Sequence, residues 1–192
     1  MKVLKVDPKA PNQTAIHLVA DILLEGGLII YPTDTVYGIG SILKEEPVKR
    51  VFSIKGRDYK SPLSVAFADT KEVRHYAEVS DTQEAQILKE HGDGMTFILK
   101  KKNTIPDYVT AGLPTVGVRI PDSEICRQLI RLSGPIITTS ANPTGKPAPT
   151  STTELDETIG NAVDLIIDGG PTRYKKPSTI KDLTKDNRII RS

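Results

Sequence analysis

The chain has 192 residues, enough to bury one sizeable core, and its composition of 38% hydrophobic and 26% charged residues is that of a globular protein rather than a disordered one. Twenty-six Lys and Arg against 24 Asp and Glu leave a formal charge of +2, too mild to announce a nucleic-acid binder. Cys126 is the only cysteine, which excludes a disulfide framework and a thiolate metal cage.

In chain order, Thr14 to Leu24 carries Ile16, Val19, Ile22 and Leu23 at helical spacing and ends at Gly26-Gly27, a natural C-cap. The apolar run Leu28 to Tyr31 reads as a buried strand that stops at Pro32, which cannot donate to a ladder. A helix is predicted over Val48 to Ile54, a strand over Leu63 to Phe67, and helices over Thr70 to Tyr76 and Thr82 to Lys89. Strands follow at Thr96 to Leu99 and Val116 to Ile120, then a helix at Glu124 to Leu132. Pro135 to Thr139, Val163 to Ile167, Ser178 to Leu183 and Arg188 to Ile190 read as further strands. Helices intervene and hairpin signals are scarce. The expectation is therefore an α/β (α+β) fold, a twisted mixed sheet with flanking helices. The stretch Asn142 to Thr153, rich in Pro, Gly, Ser and Thr, is not a domain linker, because the roughly 40 residues after it could not fold alone. It is a long loop inside a single domain spanning residues 1–192, and such loops tend to be functional.

Five segments carry chemistry. Tyr31 to Gly40 ends a strand in Thr33, Asp34 and Thr35 before two glycines, where an α/β protein places a ligand; an ordinary turn would have the same residues. Lys55-Gly-Arg57 with Lys60-Ser61-Pro62 sets cations beside a glycine, which suits phosphate or simply caps a helix. Arg119 interrupts the apolar strand Val116 to Ile120 and needs an anionic partner, a structural carboxylate or a ligand's. Thr138 to Pro147 ends a strand in hydroxyls and an Asn-Pro turn, and Pro177-Ser-Thr-Ile180 is followed by Arg191 on the terminal strand. Cys126 lies in an apolar-periodic helix and reads as a packed thiol. His17, His75 and His91 share no metal-ligand spacing, and no metal is assigned to protein ligands. There is no Walker motif, no third glycine after Gly38-Ile-Gly40 for a dinucleotide fingerprint, and no nucleophile elbow. The site lacks an evident covalent nucleophile. With no N-terminal apolar signal and no run of about 18 apolar residues, the chain is expected to be cytoplasmic and free of membrane.

The ordered set Tyr31 to Gly40, Lys55 to Leu63, Thr110 to Pro121, Thr138 to Pro149 and Pro177 to Leu183 resembles the YrdC-like threonylcarbamoyl-AMP synthase family, from about Leu18 to Arg191. The resemblance implies a deep cationic groove and a nucleotidyltransferase. Such an enzyme makes L-threonylcarbamoyl-adenylate and pyrophosphate from L-threonine, bicarbonate or CO2, and ATP. Transferase partner proteins then pass the group to the tRNA adenosine beside the anticodon. It further implies that Thr35, Arg119, Thr138 and Ser178 take threonine. Arg57, Ser61, Thr115, Ser140, Arg191 and the backbone near Ala148 would take ATP, with Lys55 facing the phosphates. Lys55 and Arg57 are then the candidate catalytic cations, and Mg²⁺ is expected on the phosphates.

The chain departs from the family where many relatives have Asn and His; Ser61 and Ala66 stand there, and Ala66 brings no polar contact to threonine. Some relatives add a C-terminal domain; a chain closing at Ser192 is expected to be the short form. Two alternatives stay open, a double-stranded RNA or tRNA-binding module without catalysis and the similar carbamoyl-adenylate-forming domain of hydrogenase-maturation proteins. An aromatic content of 5% leaves few stacking platforms for the first.

Overall fold

The computed structural model describes residues 1–192. Its strands are β1 (Val3–Lys5), β2 (Ile29–Pro32), β3 (Tyr37–Ile42), β4 (Ser64–Ala66), β5 (Ala77–Glu78), β6 (Met95–Lys101), β7 (Thr115–Arg119), β8 (Ile136–Ser140), β9 (Leu165–Asp168), β10 (Thr179–Asp182) and β11 (Arg188–Arg191). Among them run α1 (Gln13–Leu24), α2 (Glu45–Lys55), α3 (Thr70–Tyr76), α4 (Asp81–Glu90), α5 (Asp107–Thr110), α6 (Glu124–Ser133) and α7 (Glu157–Ala162). All eleven strands belong to one mixed sheet, ordered β1-β9-β2-β3-β8-β4-β7-β6-β10-β11, with β5 paired to β6.

Period-two alternation decides which side chains enter which core. Ile30, Val65, Val118 and Ile137 join a cluster of 26 buried residues with Phe52, Phe67 and Phe97. Their neighbours Ile29, Tyr31, Ala66 and Ile136 point the other way, into a cluster of 16 with Leu129 and Ile130 of α6. Helices α1 and α6 pack on each other over that second face, and α2 contacts both α5 and α7 on the first. Covering both faces explains why the central strands read as continuous apolar runs.

The helices stop and start on local chemistry. Asn12, Asp69, Ser80 and Ser123 cap the N-termini of α1, α3, α4 and α6 through their side chains, and Ser80 with Gln83 completes a capping box. Gly56 closes α2 in the left-handed conformation at φ +56°, which turns the chain toward Arg57.

The chief departure from the sequence expectation is β3. Tyr37 to Ile42 is a fully buried strand antiparallel to β2, so Thr33 to Val36 is a tight hairpin turn rather than a strand-to-loop exit. Gly38 and Gly40 read as turn residues, yet both lie inside β3, and at Gly40 packing demands the glycine. A Cβ on Gly40 would lie 2.8 Å from the Tyr31 ring beneath it. The short elements β1, α5 and α7 also escape the sequence pattern, being three, four and six residues long.

Candidate functional site

The β2–β3 turn, the ends of β7 and β8 and the start of β10 converge on a cavity of about 630 Å³. Its wall holds six cations, Arg57, Arg119, Lys146, Lys175, Lys176 and Arg191, and no carboxylate. Around them stand the hydroxyls of Thr33, Thr35, Ser64, Thr96, Thr138, Thr139, Ser140 and Ser178.

The turn is locked by its own first residue. Thr33 Oγ1 accepts from the amides of Thr35 (3.1 Å) and Val36 (3.3 Å) and donates to the Val36 carbonyl at 2.7 Å. That conformation aims Asp34 and Thr35 at Arg119, whose Nη2 donates to Asp34 Oδ1 at 2.5 Å and to Thr35 Oγ1 at 2.8 Å. Asp34 and Arg119 are each 4% exposed, so the pair is held in low dielectric. Asp34 Oδ2 is buried without a partner. All the hydrogen bonds of Arg119 leave from Nη2; Nη1 and Nε remain for a ligand in the cavity. The arginine that the sequence singles out therefore has both a structural carboxylate and a face on the cavity.

Thr138 is oriented from below by the buried Tyr31, whose hydroxyl donates to Thr138 Oγ1 at 2.9 Å. Burial holds the Tyr31 phenol well above its usual range, so it stays a neutral donor. On the opposite side Ser178 Oγ lies 2.9 Å from Thr96 Oγ1. The β10–β11 hairpin returns Arg191 to the same spot, its Nη2 donating to the Ser178 carbonyl at 2.8 Å. Arg57 is braced by the Pro62 carbonyl at 2.8 Å.

Of the residues expected to take threonine, Thr35, Arg119, Thr138 and Ser178 all line the cavity, and so do Arg57, Ser140, Ala148 and Arg191 of the nucleotide set. Lys55, Ser61 and Thr115 do not. Lys55 is 3% exposed, with its ammonium donating to the carbonyls of Ser140 and, at 2.6 Å, Asn142. It moors the strand-to-loop exit after β8 and does not itself line the cavity. Ser61 closes a turn on Asp58. Thr115 shares a face of β7 with Arg119 but sits four residues away, roughly 13 Å along an extended strand. Ala66 pairs in register with Arg119 and Ile136 and is fully buried in the second core, off the cavity. Cys126 is likewise buried, its thiol pushed up to about 12 by burial, an inert core residue.

Sequence reasoning missed Lys146, Lys175 and Lys176, although the Lys-Lys-Pro run before Ser178 was a visible signal. It also missed Asp34 as the partner of Arg119, 85 positions apart. Lys175 and Lys176 ride on the β9–β10 connection, which Thr172 and Tyr174 pin to the turn by bonds to the Thr35 and Asp34 carbonyls at 2.8 and 2.9 Å.

Electrostatics agree with the composition of the wall. Burial lowers Lys55 to about 8, with Arg57 as second cause; burial also lowers Arg57, with Arg191 second, and Arg191, with Arg119 second. Each cation is thus made less comfortable by the next, the condition an incoming anion relieves. No three His, Cys, Asp or Glu side chains converge anywhere in the fold to hold a metal. No helix is long and apolar enough to cross a membrane.

A sheet covered on both faces, with a cation-lined and hydroxyl-lined cavity at its strand ends, defines an α/β protein with a positively charged pocket. The chain belongs to the Sua5/yciO/yrdC family, whose profile, described as telomere recombination, matches residues 21–192. A Methanocaldococcus jannaschii relative is 42% identical over 88% of this chain and 79% of its own length. The threonylcarbamoyl-AMP synthases of Pyrococcus abyssi and Bacillus subtilis are 40% and 35% identical over 88% and 96% of this chain. The chain spans about half the length of those two, 51% and 54%. Among solved structures, P. abyssi Sua5 complexed with L-threonine superposes with a TM-score of 0.86 at 36% identity, over 97% of this chain and 55% of that one. E. coli YciO superposes equally well, 0.86 at 28% identity, over 100% of this chain and 96% of its own.

Proposed function

We propose that this chain is a threonylcarbamoyl-AMP synthase and that the cavity is its active site. L-Threonine, bicarbonate or CO2, and ATP would enter, and L-threonylcarbamoyl-adenylate and pyrophosphate would leave. One observation carries the reading: a wall of six cations and eight hydroxyls without a carboxylate, in a fold whose relatives bear that name.

The chemistry asks little of a covalent catalyst. Threonine's amine, carboxylated to a carbamate, attacks the α-phosphorus through a carbamate oxygen; that P–O bond forms as the bond to the β-phosphate oxygen breaks. Negative charge builds on the equatorial oxygens and on the departing pyrophosphate, so positioning and charge neutralisation supply the rate. Arg119 holds the amino-acid carboxylate through Nη1 and Nε, with Thr35, Thr138 and Ser178 around the rest of the amino acid. Arg57, Arg191 and the amides after Ser140 take the phosphates, while Lys55 acts from beneath by fixing the Ser140 and Asn142 carbonyls. The wall offers no carboxylate, so a magnesium ion would be held by the phosphates and would supply charge neutralisation there. The adenylate then passes to transferase partners that modify tRNA.

The test is mass spectrometry of the product mixture with threonine, bicarbonate and ATP, omitting each in turn. The adenylate should require all three. Pyrophosphate release independent of threonine would overturn the reading.

A further inference from the structure

Of the six cations on the cavity wall, only Arg119 has a carboxylate partner, Asp34. Arg57, Lys146, Lys175, Lys176 and Arg191 form no ion pair within 4.0 Å, although ten such contacts exist elsewhere in the chain. The cavity is thus divided. At the turn end the local charge sums to zero, with a buried carboxylate, one of whose oxygens is unpartnered, beside a guanidinium with free donors. The wall's other five positive charges stand without a carboxylate partner.

We infer that Asp34 is a specificity-determining positioning residue, which makes the Arg119 side of the cavity accept a zwitterionic amino acid as it first binds, before its amine is carboxylated, and refuse phosphate. The inference rests on the function proposed above. A carboxylate ligand gains bidentate geometry from Arg119, and an ammonium or amine on the same ligand gains from the Asp34 charge behind it. A phosphate group carrying about two negative charges gains the same arginine but meets that buried carboxylate. It gains more among the five unpaired cations. Without Asp34, Arg119 would be a sixth equivalent cation in an undivided polyanion site, and polyphosphate would compete for the amino-acid position. The position of Asp34 suits the task. It is held in the Thr33 turn, and its carbonyl accepts from Tyr174 next to the lysine-bearing residues 175 and 176.

Two experiments test this. In the wild-type protein, calorimetry with threonine and with pyrophosphate should give different salt responses. Pyrophosphate affinity should fall at least about tenfold from low to high ionic strength, while threonine affinity changes less than about twofold, because screening acts on net charge. In Asp34→Asn, which keeps an acceptor for Arg119 Nη2, the KM for threonine should rise about tenfold with kcat little changed. Pyrophosphate, competitive only against ATP in the wild type, should become competitive against threonine too. An unchanged inhibition pattern and threonine KM in folded Asp34→Asn would overturn the inference. Equal salt slopes for the two ligands in the wild type would overturn it even if that variant failed to fold. Threonine failing to bind the wild type at all would instead remove the proposed function, and this inference with it.

Discussion

The two walls of the cavity are made differently. The wall built from the β2–β3 turn and the ends of β7 and β8 is buried: Thr33, Thr35, Arg119 and Thr138, with Asp34 behind them, are all at most 8% exposed. Side-chain hydrogen bonds join Thr33, Thr35, Arg119 and Asp34, and Thr138 is held by Tyr31. The facing wall comes from Asn142 to Thr150 and from the β9–β10 connection, and its cations Lys146, Lys175 and Lys176 are exposed. A rigid, mutually bonded wall can read shape and hydroxyl position. An exposed wall of lysines can gather charge but selects by little else. The proposed reaction needs both, one to hold an amino acid and one to neutralise a triphosphate.

The largest blow to the buried wall is Arg119→Ala. It leaves Asp34 without its partner in low dielectric, and a loss of about 3–5 kcal/mol of stability is expected by chemical denaturation. Arg119→Lys keeps the charge but not the fork, so threonine binding by calorimetry should weaken by about 1.5–3 kcal/mol with a smaller stability loss. Unchanged threonine affinity in the folded lysine variant would remove Arg119 from the ligand site.

Lys55 joins the two walls, and pH should pull its effects apart. Its folded value of about 8 lies below the ordinary 10.5. Between those values the unfolded chain binds the extra proton, so this group makes stability rise with pH across the window. Phosphate over the Ser140 exit favours the ammonium form, so ATP affinity should fall as pH rises through about 8, with proton uptake on binding. Calorimetry in buffers of different ionisation enthalpy reads that proton; none taken up near pH 8 would detach Lys55 from the nucleotide.

Effects on the exposed wall should be milder and one-sided. Lys175→Ala with Lys176→Ala should leave the melting temperature unchanged and weaken ATP by about 1 kcal/mol, less at high salt, without touching threonine. A threonine effect as large as the ATP effect would erase the division between walls. Of similar size is Tyr31→Phe, which removes the donor to Thr138 and should cost about 0.5–1.5 kcal/mol of stability or threonine binding.

What the sequence made legible was local. Helix α3 follows the expected Thr70 to Tyr76 because Asp69 caps it and the apolar period is intact. Arg119 stood out because a charge inside Val116 to Ile120 has no cheap way to be buried. Its partner did not stand out, since Asp34 meets it only when β2, β3, β8, β4 and β7 assemble side by side. Lys55 and Arg57 look alike in the sequence; the left-handed Gly56 between them sends one inward to carbonyls and the other to the cavity. Strand β3 hid behind Gly38 and Gly40, and the purpose of Gly40, room for the Tyr31 ring, exists only in the folded sheet.

Specificity for threonine itself offers a further check on the buried wall. Thr35, Thr138 and Ser178 supply hydroxyls that an analogue lacking one leaves unpaired. Valine should therefore be a poor substrate, and serine, short by one methyl worth roughly 1 kcal/mol, a better one. Valine matching serine in adenylate formation would mean the wall reads the methyl.

The most direct measurement is a crystal structure of this chain with threonine and a non-hydrolysable ATP analogue. The account places the amino-acid carboxylate within hydrogen-bond distance of Arg119 Nη1 or Nε, beside Thr35, and the phosphates against Arg57 and Arg191. A threonine carboxylate on Arg57 or Arg191, with phosphate on Arg119, would contradict it.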